Sequence, residues 1–263
     1  MADADTVRDA GIPAILTPAQ DPAPISTPPQ PAPGEMSLVG HLVELRNRII
    51  RMVLAILVAS VVGFIFGDQI VAMLKSAIPG GKPLFFTGLG DAFVIKLKIA
   101  IVVGVIISMP FLLWQVWAFV SPGLTPAERR AVRPWIPLAL VFFAIGTAIA
   151  FIILPFAAGF LIGFSTQDLQ PLITAGAYFD FVTTMFLAFG LIMEFPILLY
   201  GLSRVGIATS ERLTRLRRPA ILGIAIFATA ITPGGDLVSP TVLGVTMYVL
   251  FEGTIFFIRR SGK

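Results

Sequence analysis

The sequence contains no cysteine and a single histidine, His41, among its 263 residues. A chain without thiols forms no disulfide framework and offers no thiolate nucleophile, and one histidine does not supply the Cys/His ligand set of a zinc site. The sequence therefore predicts no metal site and no cofactor.

Charged residues are also scarce in this chain. They make up 13% of the sequence, against about 25% in soluble domains, while 56% of the residues are hydrophobic. The mean hydropathy is +0.91. The net charge of +4 is small, and the basic residues lie at the ends of apolar segments, as membrane topology requires. These values indicate a membrane protein and argue against nucleic acid as a partner.

Catalytic motifs are short or incomplete. Gly80–Pro83 lacks the remainder of a phosphate-binding loop, and no GxSxG string is present. Gly88–Asp91 matches the GxGD string of intramembrane aspartyl proteases, with Asp180 as a candidate second carboxylate. Such short strings recur by chance, so we favour a turn followed by an acid at a helix N-terminus. The sequence predicts a protein that is not an enzyme.

Long apolar segments are abundant and predict an all-α, polytopic membrane protein with six transmembrane helices. The predicted spans cover about 48–66, 93–119, 134–163, 177–202, 219–232 and 241–258. The last two are short. A helix over 219–232 would rise only about 21 Å, less than the ~30 Å of an average hydrocarbon core. We therefore expect local thinning of the membrane there, or protein covering the helix ends.

The segments between the spans are predicted from their polar and glycine-proline content. Residues 67–92 are expected to form a long loop on the far side of the membrane. The third apolar stretch is uncharged from Pro134 to Gln167, roughly 45 Å or more if wholly helical. Such a helix must tilt, project from the bilayer, or break near Pro155.

The distribution of lysine and arginine predicts the orientation. The segments 36–51, 120–133, 203–218 and 259–263 together carry 14 of these residues, while the opposite side carries four. By the positive-inside bias, both termini are cytoplasmic. Residues 1–35 contain eight prolines and four aspartates without an apolar period, a composition that predicts a disordered cytoplasmic tail before a membrane domain over 36–263.

The stretch SLVGHLVELRNRII, from Ser37, places leucine and isoleucine at helical spacing and His41, Glu44 and Arg48 on a different face. It predicts an interfacial amphipathic helix that runs into the first span. Glu44 and Arg48 are four residues apart, the spacing of an ion pair on a helix surface.

The stretch from Gln115 to Pro134 joins the second and third spans. Within it, Thr125–Glu128 has the form of a capping box with proline at the first helical position, which predicts a helix from Pro126. A carboxylate at a helix N-terminus stays ionised and is suited to bind a guanidinium. Spacing alone does not decide whether Glu44 and Glu128 serve structure or recognition.

Glu194 lies inside the fourth predicted span, beside Pro196. An ionisable group at that depth is costly and suggests function, whereas a neutral or hydrogen-bonded carboxyl would be structural. A proton-coupled small-solute transporter that uses Glu194 is the alternative function that composition leaves open.

Four sequence blocks are distinctive: HLVELRNRI at 41–49, QVWAFVSPGLTPAERR at 115–130, AFGLIMEFP at 188–196 and MYVLFE at 247–252. Together they resemble TatC, the multi-spanning receptor of the twin-arginine protein translocase. Their order and spacing match the family from Met36 to about Arg260. The resemblance implies a receptor in the bacterial inner membrane that binds twin-arginine signal peptides of folded precursors, with export driven by the proton-motive force.

The resemblance also implies roles for individual residues. Glu44 and Glu128 would contact the paired arginines, with Arg46 and Phe119 on the same cytoplasmic surface. Glu194 would be a buried polar group. The implied partners are single-span TatA/TatB-type subunits, received by the last two helices, within an oligomeric receptor complex that also contacts membrane lipids.

The chain departs from the family at the last turn. Where many relatives read TPPD followed by a Ser-Gln pair, this sequence has TPGGD at 232–236 and then Ser239-Pro240. The expected docking cluster for partner subunits is therefore reduced to Thr232.

Overall fold

The computed structural model describes residues 38–166, 168, 172–204, 206–232 and 236–260. The predicted tail over 1–35 and the glycines of the predicted turn at 232–236 lie outside these ranges. Within them the chain is almost entirely helical, with one isolated parallel β-bridge between Phe85 and Thr174. The all-α class is confirmed.

Ten α-helices occur in the described ranges. They are α1 (Leu38–Ile65), α2 (Gly67–Lys75), α3 (Asp91–Val120), α4 (Pro126–Val132), α5 (Trp135–Ile162), α6 (Ala175–Ile192), α7 (Phe195–Arg204), α8 (Ser210–Arg215), α9 (Arg217–Ile231) and α10 (Val238–Arg260). Short 3-10 turns lie at Pro79–Gly81 and Ser121–Gly123.

Five apolar helical stretches are long enough to cross a membrane in this part of the chain: Val39–Ile65, Asp91–Gly123, Pro126–Ile162, Ala175–Arg204 and Val238–Arg260. The fifth predicted span corresponds to α9, which has 15 residues and would rise only about 22 Å. Six spans and cytoplasmic termini therefore remain predictions.

Helix α1 packs along α3 through small residues. A Cβ added at Gly104 of α3 would lie 2.8 Å from the Ile56 carbonyl oxygen, and one added at Gly63 of α1 would lie 2.8 Å from the Ala100 carbonyl oxygen. Helices in membranes often pack in this way. Small residues let the two backbones approach closely, and van der Waals contacts, in place of the hydrophobic effect, then drive the association. The outer face of α1, including Leu57 and Val58, is apolar and exposed, as a lipid-facing surface requires.

Helices α5 and α6 interlock by two glycine and phenylalanine contacts. A Cβ at Gly190 of α6 would lie 2.7 Å from the Phe143 ring, and one at Gly146 of α5 would lie 3.0 Å from the carbonyl carbon of Phe189. Both phenylalanines are buried. The Phe143 ring occupies the space that Gly190 leaves, and the Phe189 backbone occupies the space that Gly146 leaves, so neither helix can shift without overlap.

The expected loop over 67–92 was wrong in its first part, because Gly67–Lys75 forms α2. Its apolar residues recur at helical spacing and pack on the core at Ile70, Val71 and Leu74. Asp68 in the first turn and Lys75 in the last suit the helix dipole. The Tyr178 hydroxyl of α6 donates to the Leu74 carbonyl oxygen at 2.6 Å, which fixes the end of α2.

Helix α5 continues through Pro155 from Trp135 to Ile162. Of the three possibilities for this long segment, a break near Pro155 was therefore wrong, and tilt or projection from the bilayer remains. Its start is tied to later helices, because the Trp135 ring stacks on Tyr200 at a centroid distance of 4.0 Å and meets the Phe257 ring edge-on.

We expect Gly104→Leu to lower the free energy of unfolding by about 1–3 kcal/mol or more, because the added side chain would meet the α1 backbone. Thermal unfolding in detergent, followed by tryptophan fluorescence, measures the loss. Gly223→Leu is the matched control, since a Cβ at Gly223 of α9 meets no atom within 4 Å. Equal stability of the two variants would contradict the close α1–α3 approach.

Candidate functional site

Arg48 of α1 lies at the centre of a polar cluster between α1 and the C-terminal end of α3. Its guanidinium donates through Nε to a carboxylate oxygen of Glu44 at 3.0 Å, and Nη2 also bonds that oxygen. Nη1 donates to the Gln115 side chain and Nη2 to the Ala118 carbonyl oxygen, each at 3.1 Å. The predicted Glu44–Arg48 pair is confirmed, and it extends to a second helix.

An aromatic contact continues this cluster towards the helix ends. The His41 ring stacks on Phe119 with a centroid distance of 4.3 Å and an interplanar angle of 19°. We call the whole set the α1–α3 cluster: His41, Glu44, Arg48, Gln115, Ala118 and Phe119. It fastens the N-terminal half of α1 to the last turns of α3.

Only one oxygen of Glu44 takes part in the cluster. Both bonds from Arg48 reach Oε1, whereas Oε2 is buried and has no hydrogen-bond partner among the described residues. A buried carboxylate oxygen without a donor is costly, by about 1–3 kcal/mol or more for a charged group. Glu44 is therefore held, but its hydrogen-bonding capacity is not fully used.

Glu128 closes the predicted capping box at the start of α4. The Thr125 backbone N–H and hydroxyl donate to its Oε2 at 2.9 and 2.8 Å, and the Glu128 N–H donates to the Thr125 hydroxyl at 3.4 Å. Arg129 returns to the preceding turn by donating to the Ser121 carbonyl oxygen at 2.7 Å. The helix start at Pro126 is confirmed.

The α1–α3 cluster and α4 lie at the same end of the helix bundle, because α4 follows the last turn of α3 after one 3-10 turn. Of the four residues predicted for binding, Glu44 and Phe119 both belong to the α1–α3 cluster, and Glu128 lies on the helix that follows α3. Arg46 is exposed and lies outside the cluster; among the described residues its side chain hydrogen-bonds to Asn47, at 3.5 Å.

Sequence reasoning missed Gln115 as a member of the site. The sequence did carry a signal, since Gln115 is a polar residue inside an apolar helix. In the structure Gln115 is only 2% exposed, so its amide needs a partner. That partner is Arg48, which lies 67 positions earlier in the chain.

Glu194 lies where the fourth predicted span is interrupted. Helix α6 ends at Ile192 and α7 begins at Phe195, with Pro196 in the first turn of α7. Pro196 lacks an N–H and cannot donate to the Ile192 carbonyl oxygen, which weakens the helix at this point, although α5 continues through Pro155. Oε1 of Glu194 is buried and finds no hydrogen-bond partner in the described part of the chain.

Thr232 ends α9 by donating its hydroxyl to the Ala228 carbonyl oxygen at 2.7 Å. It also borders a groove of about 650 Å³ between α9 and α10. The lining is mostly apolar, with polar atoms from Thr229, Thr232, Asp236, Thr241 and Tyr248.

The two aspartates of the protease-like strings have structural roles. Asp91, the first residue of α3, accepts hydrogen bonds from the Thr87 N–H and hydroxyl and from the Gly88 N–H at 2.8–2.9 Å. Asp180 pairs with Lys98 of α3 at 2.5 Å. Both carboxylates therefore have partners of their own, as the turn interpretation requires for Asp91.

Comparison with known proteins decides the family. The model of the family described as Sec-independent protein translocase protein (TatC) matches residues 40–245. The chain belongs to the TatC family. TatC proteins from Carboxydothermus hydrogenoformans and Escherichia coli K12 are 36% and 34% identical to it, over 85% and 84% of this chain and 93% and 88% of theirs.

Solved structures agree with the TatC assignment. A crystal structure of the twin arginine translocase receptor TatC, in the detergent DDM, has a TM-score of 0.73 and 31% identity, covering 83% of this chain and 99% of that one. The protein is thus a TatC component of the Sec-independent translocase, a non-enzymatic multi-pass protein of the bacterial inner membrane. The assignment favours protein translocation over the small-solute transporter.

We expect Glu194→Gln to reduce export of a translocase reporter by about tenfold or more, because glutamine keeps the shape of the side chain but removes an ionisable group from an apolar site. Membrane insertion and protein level should be unchanged, and cell fractionation with immunoblotting checks both. Glu211→Gln, in the exposed first turn of α8, is the matched control. Export at the wild-type level by Glu194→Gln would show that its carboxyl is structural.

Proposed function

We propose that Glu44 and Glu128 form a receptor for the paired arginines of twin-arginine signal peptides, on the cytoplasmic face of the membrane. The observation that carries the proposal is the α1–α3 cluster, which holds Glu44 beside the end of α3, from which the chain leads directly into the helix of Glu128. Phe119 adds an apolar surface between these two elements.

The chemistry of the two acids suits arginine. Each carboxylate is held by its own element, Glu44 on α1 and Glu128 at the N-terminus of α4. A guanidinium presents a planar fork that matches a carboxylate, whereas a lysine ammonium supplies charge without that geometry. Two carboxylates on separate elements therefore favour two guanidinium groups over two ammonium groups.

The groove between α9 and α10 suits a single-span TatA/TatB-type subunit. Its apolar lining would accept a helix side, and its hydroxyl groups, including Thr232, would hydrogen-bond a polar group carried by that helix. The short α9 favours local thinning of the bilayer beside the partner. Membership of the TatC family implies that transport draws on the proton-motive force.

We expect Glu44→Gln and Glu128→Gln each to reduce export of a twin-arginine reporter by about tenfold or more, since losing one partner of a desolvated charge pair costs about 2–5 kcal/mol. Export assays in cells lacking the chromosomal copy measure this, with Glu211→Gln as the matched control.

Membrane insertion and protein level should stay the same in all three variants. Undiminished export by both Glu44→Gln and Glu128→Gln would rule out the proposed receptor. A loss in the Glu211→Gln control as well would show that any acid on this face supports export, and would also contradict a specific site.

We expect Gly244→Leu to weaken co-purification of TatA/TatB-type subunits, because Gly244 lines the groove and a larger side chain would fill it. A Cβ at Gly244 meets only ordinary contacts, 3.8 Å from Ala228 and 3.9 Å from Ile224, so the fold should tolerate it. Gly253→Leu, on the same helix with no atom within 4 Å of its Cβ, is the matched control. Equal recovery of partner subunits by both variants would place docking elsewhere.

A further inference from the structure

We infer that Arg48 is an internal competitor for the Glu44 carboxylate, so that a signal peptide binds by exchanging one guanidinium for another. The inference rests on the proposed role of Glu44 in binding peptide arginines. In the structure neither oxygen of Glu44 is available to a ligand, because Arg48 occupies Oε1 and Oε2 is buried within the protein. The Glu44 carboxylate is therefore occupied in the unbound protein, and we call the Arg48–Glu44 ion pair the latch.

Arg48 keeps hydrogen-bond partners on α3 when it releases Glu44. When Glu44 turns away, the guanidinium keeps its hydrogen bonds to the Gln115 side chain through Nη1 and to the Ala118 carbonyl oxygen through Nη2. Both acceptors are uncharged and lie on α3, so Arg48 stays in place while Glu44 moves. The Glu44 side chain is 22% exposed and the Arg48 side chain 15%, which places the pair at the border between protein and water.

The Arg48–Glu44 ion pair sets the free-energy cost that a ligand must offset before it can bind Glu44. Selectivity is a difference in affinity, and here the competing partner is itself a guanidinium. A peptide arginine replaces the fork of Arg48 with an equivalent fork, so the exchange is nearly balanced and the rest of the peptide can decide it. A lysine offers no fork, so it cannot recover the hydrogen bonds that Glu44 gives up. The latch therefore lowers the affinity for both kinds of peptide by the same factor, and the ratio of their affinities is set by Glu44 itself.

The latch is tested by measuring binding of an Arg-Arg and a Lys-Lys signal peptide to the purified protein in nanodiscs, by fluorescence anisotropy. Arg48→Lys keeps the positive charge and removes the fork. The expected result is that both peptides bind more tightly, each by about tenfold, the change that corresponds to one lost hydrogen-bonded contact, while the Arg-Arg to Lys-Lys affinity ratio stays the same.

Two substitutions at Gln115 give opposite expectations and do not alter either member of the latch. Gln115→Glu gives Arg48 a charged acceptor on α3 and repels Glu44, so Glu44 is released and Arg-Arg binding should tighten. Gln115→Leu removes one of the two bonds that remain to Arg48 after exchange, so Arg-Arg binding should weaken. A purely structural Gln115 would instead weaken binding in both variants, since both disturb a buried residue.

Glu44→Gln separates failure of the latch from failure of the receptor. If Glu44→Gln binds the Arg-Arg peptide as well as the unchanged protein does, the proposed receptor is wrong and the latch has no site. If Glu44→Gln loses binding while Arg48→Lys and Gln115→Glu leave the affinity for both peptides unchanged, the receptor stands and the latch is overturned. Should Arg48→Lys not accumulate in the membrane, the opposite effects of the two Gln115 variants decide.

Discussion

The architecture of this face depends on the hydrogen bonds that the Arg48 guanidinium makes between α1 and α3. The guanidinium joins two helices whose backbones already approach closely at Gly63 and Gly104, and it does so near the point where α3 leads through a short turn to α4, the helix that carries Glu128. The His41–Phe119 stack holds the same amphipathic first turns of α1 against α3. The position of Glu44 is thus a consequence of how α1 and α3 are fastened.

A second constraint comes from polar groups placed within apolar helices. Glu194 lies at the interruption between α6 and α7, and Thr232 lies at the end of α9, which has only 15 residues. Helices that span lipid satisfy their backbone groups internally, so interruptions persist where neighbouring protein supports them. In the proposed function, the groove beside Thr232 is where a partner helix would dock.

Local patterns were predictable from the sequence, and long-range partners were not. The start of α4 follows from Thr125 and Glu128, which are three residues apart, and the Glu44–Arg48 pair follows from helical spacing. The amphipathic helix α2 was not predicted, because it lies in a segment rich in polar residues, glycine and proline. The contact between Gln115 and Arg48 spans 67 positions and depends on how α1 and α3 pack, which neither propensity nor periodicity specifies.

The most direct test of arginine recognition is site-specific crosslinking from positions close to Glu44 and Glu128. The chain has no cysteine, so single cysteines at the exposed positions Asn47 and Ala127 would carry a unique photocrosslinker while leaving Glu44 and Glu128 in place. Recognition of paired arginines predicts strong crosslinks from both positions to an Arg-Arg signal peptide and weak ones to its Lys-Lys counterpart. Equal crosslinking of the two peptides, or none from either position, would contradict it.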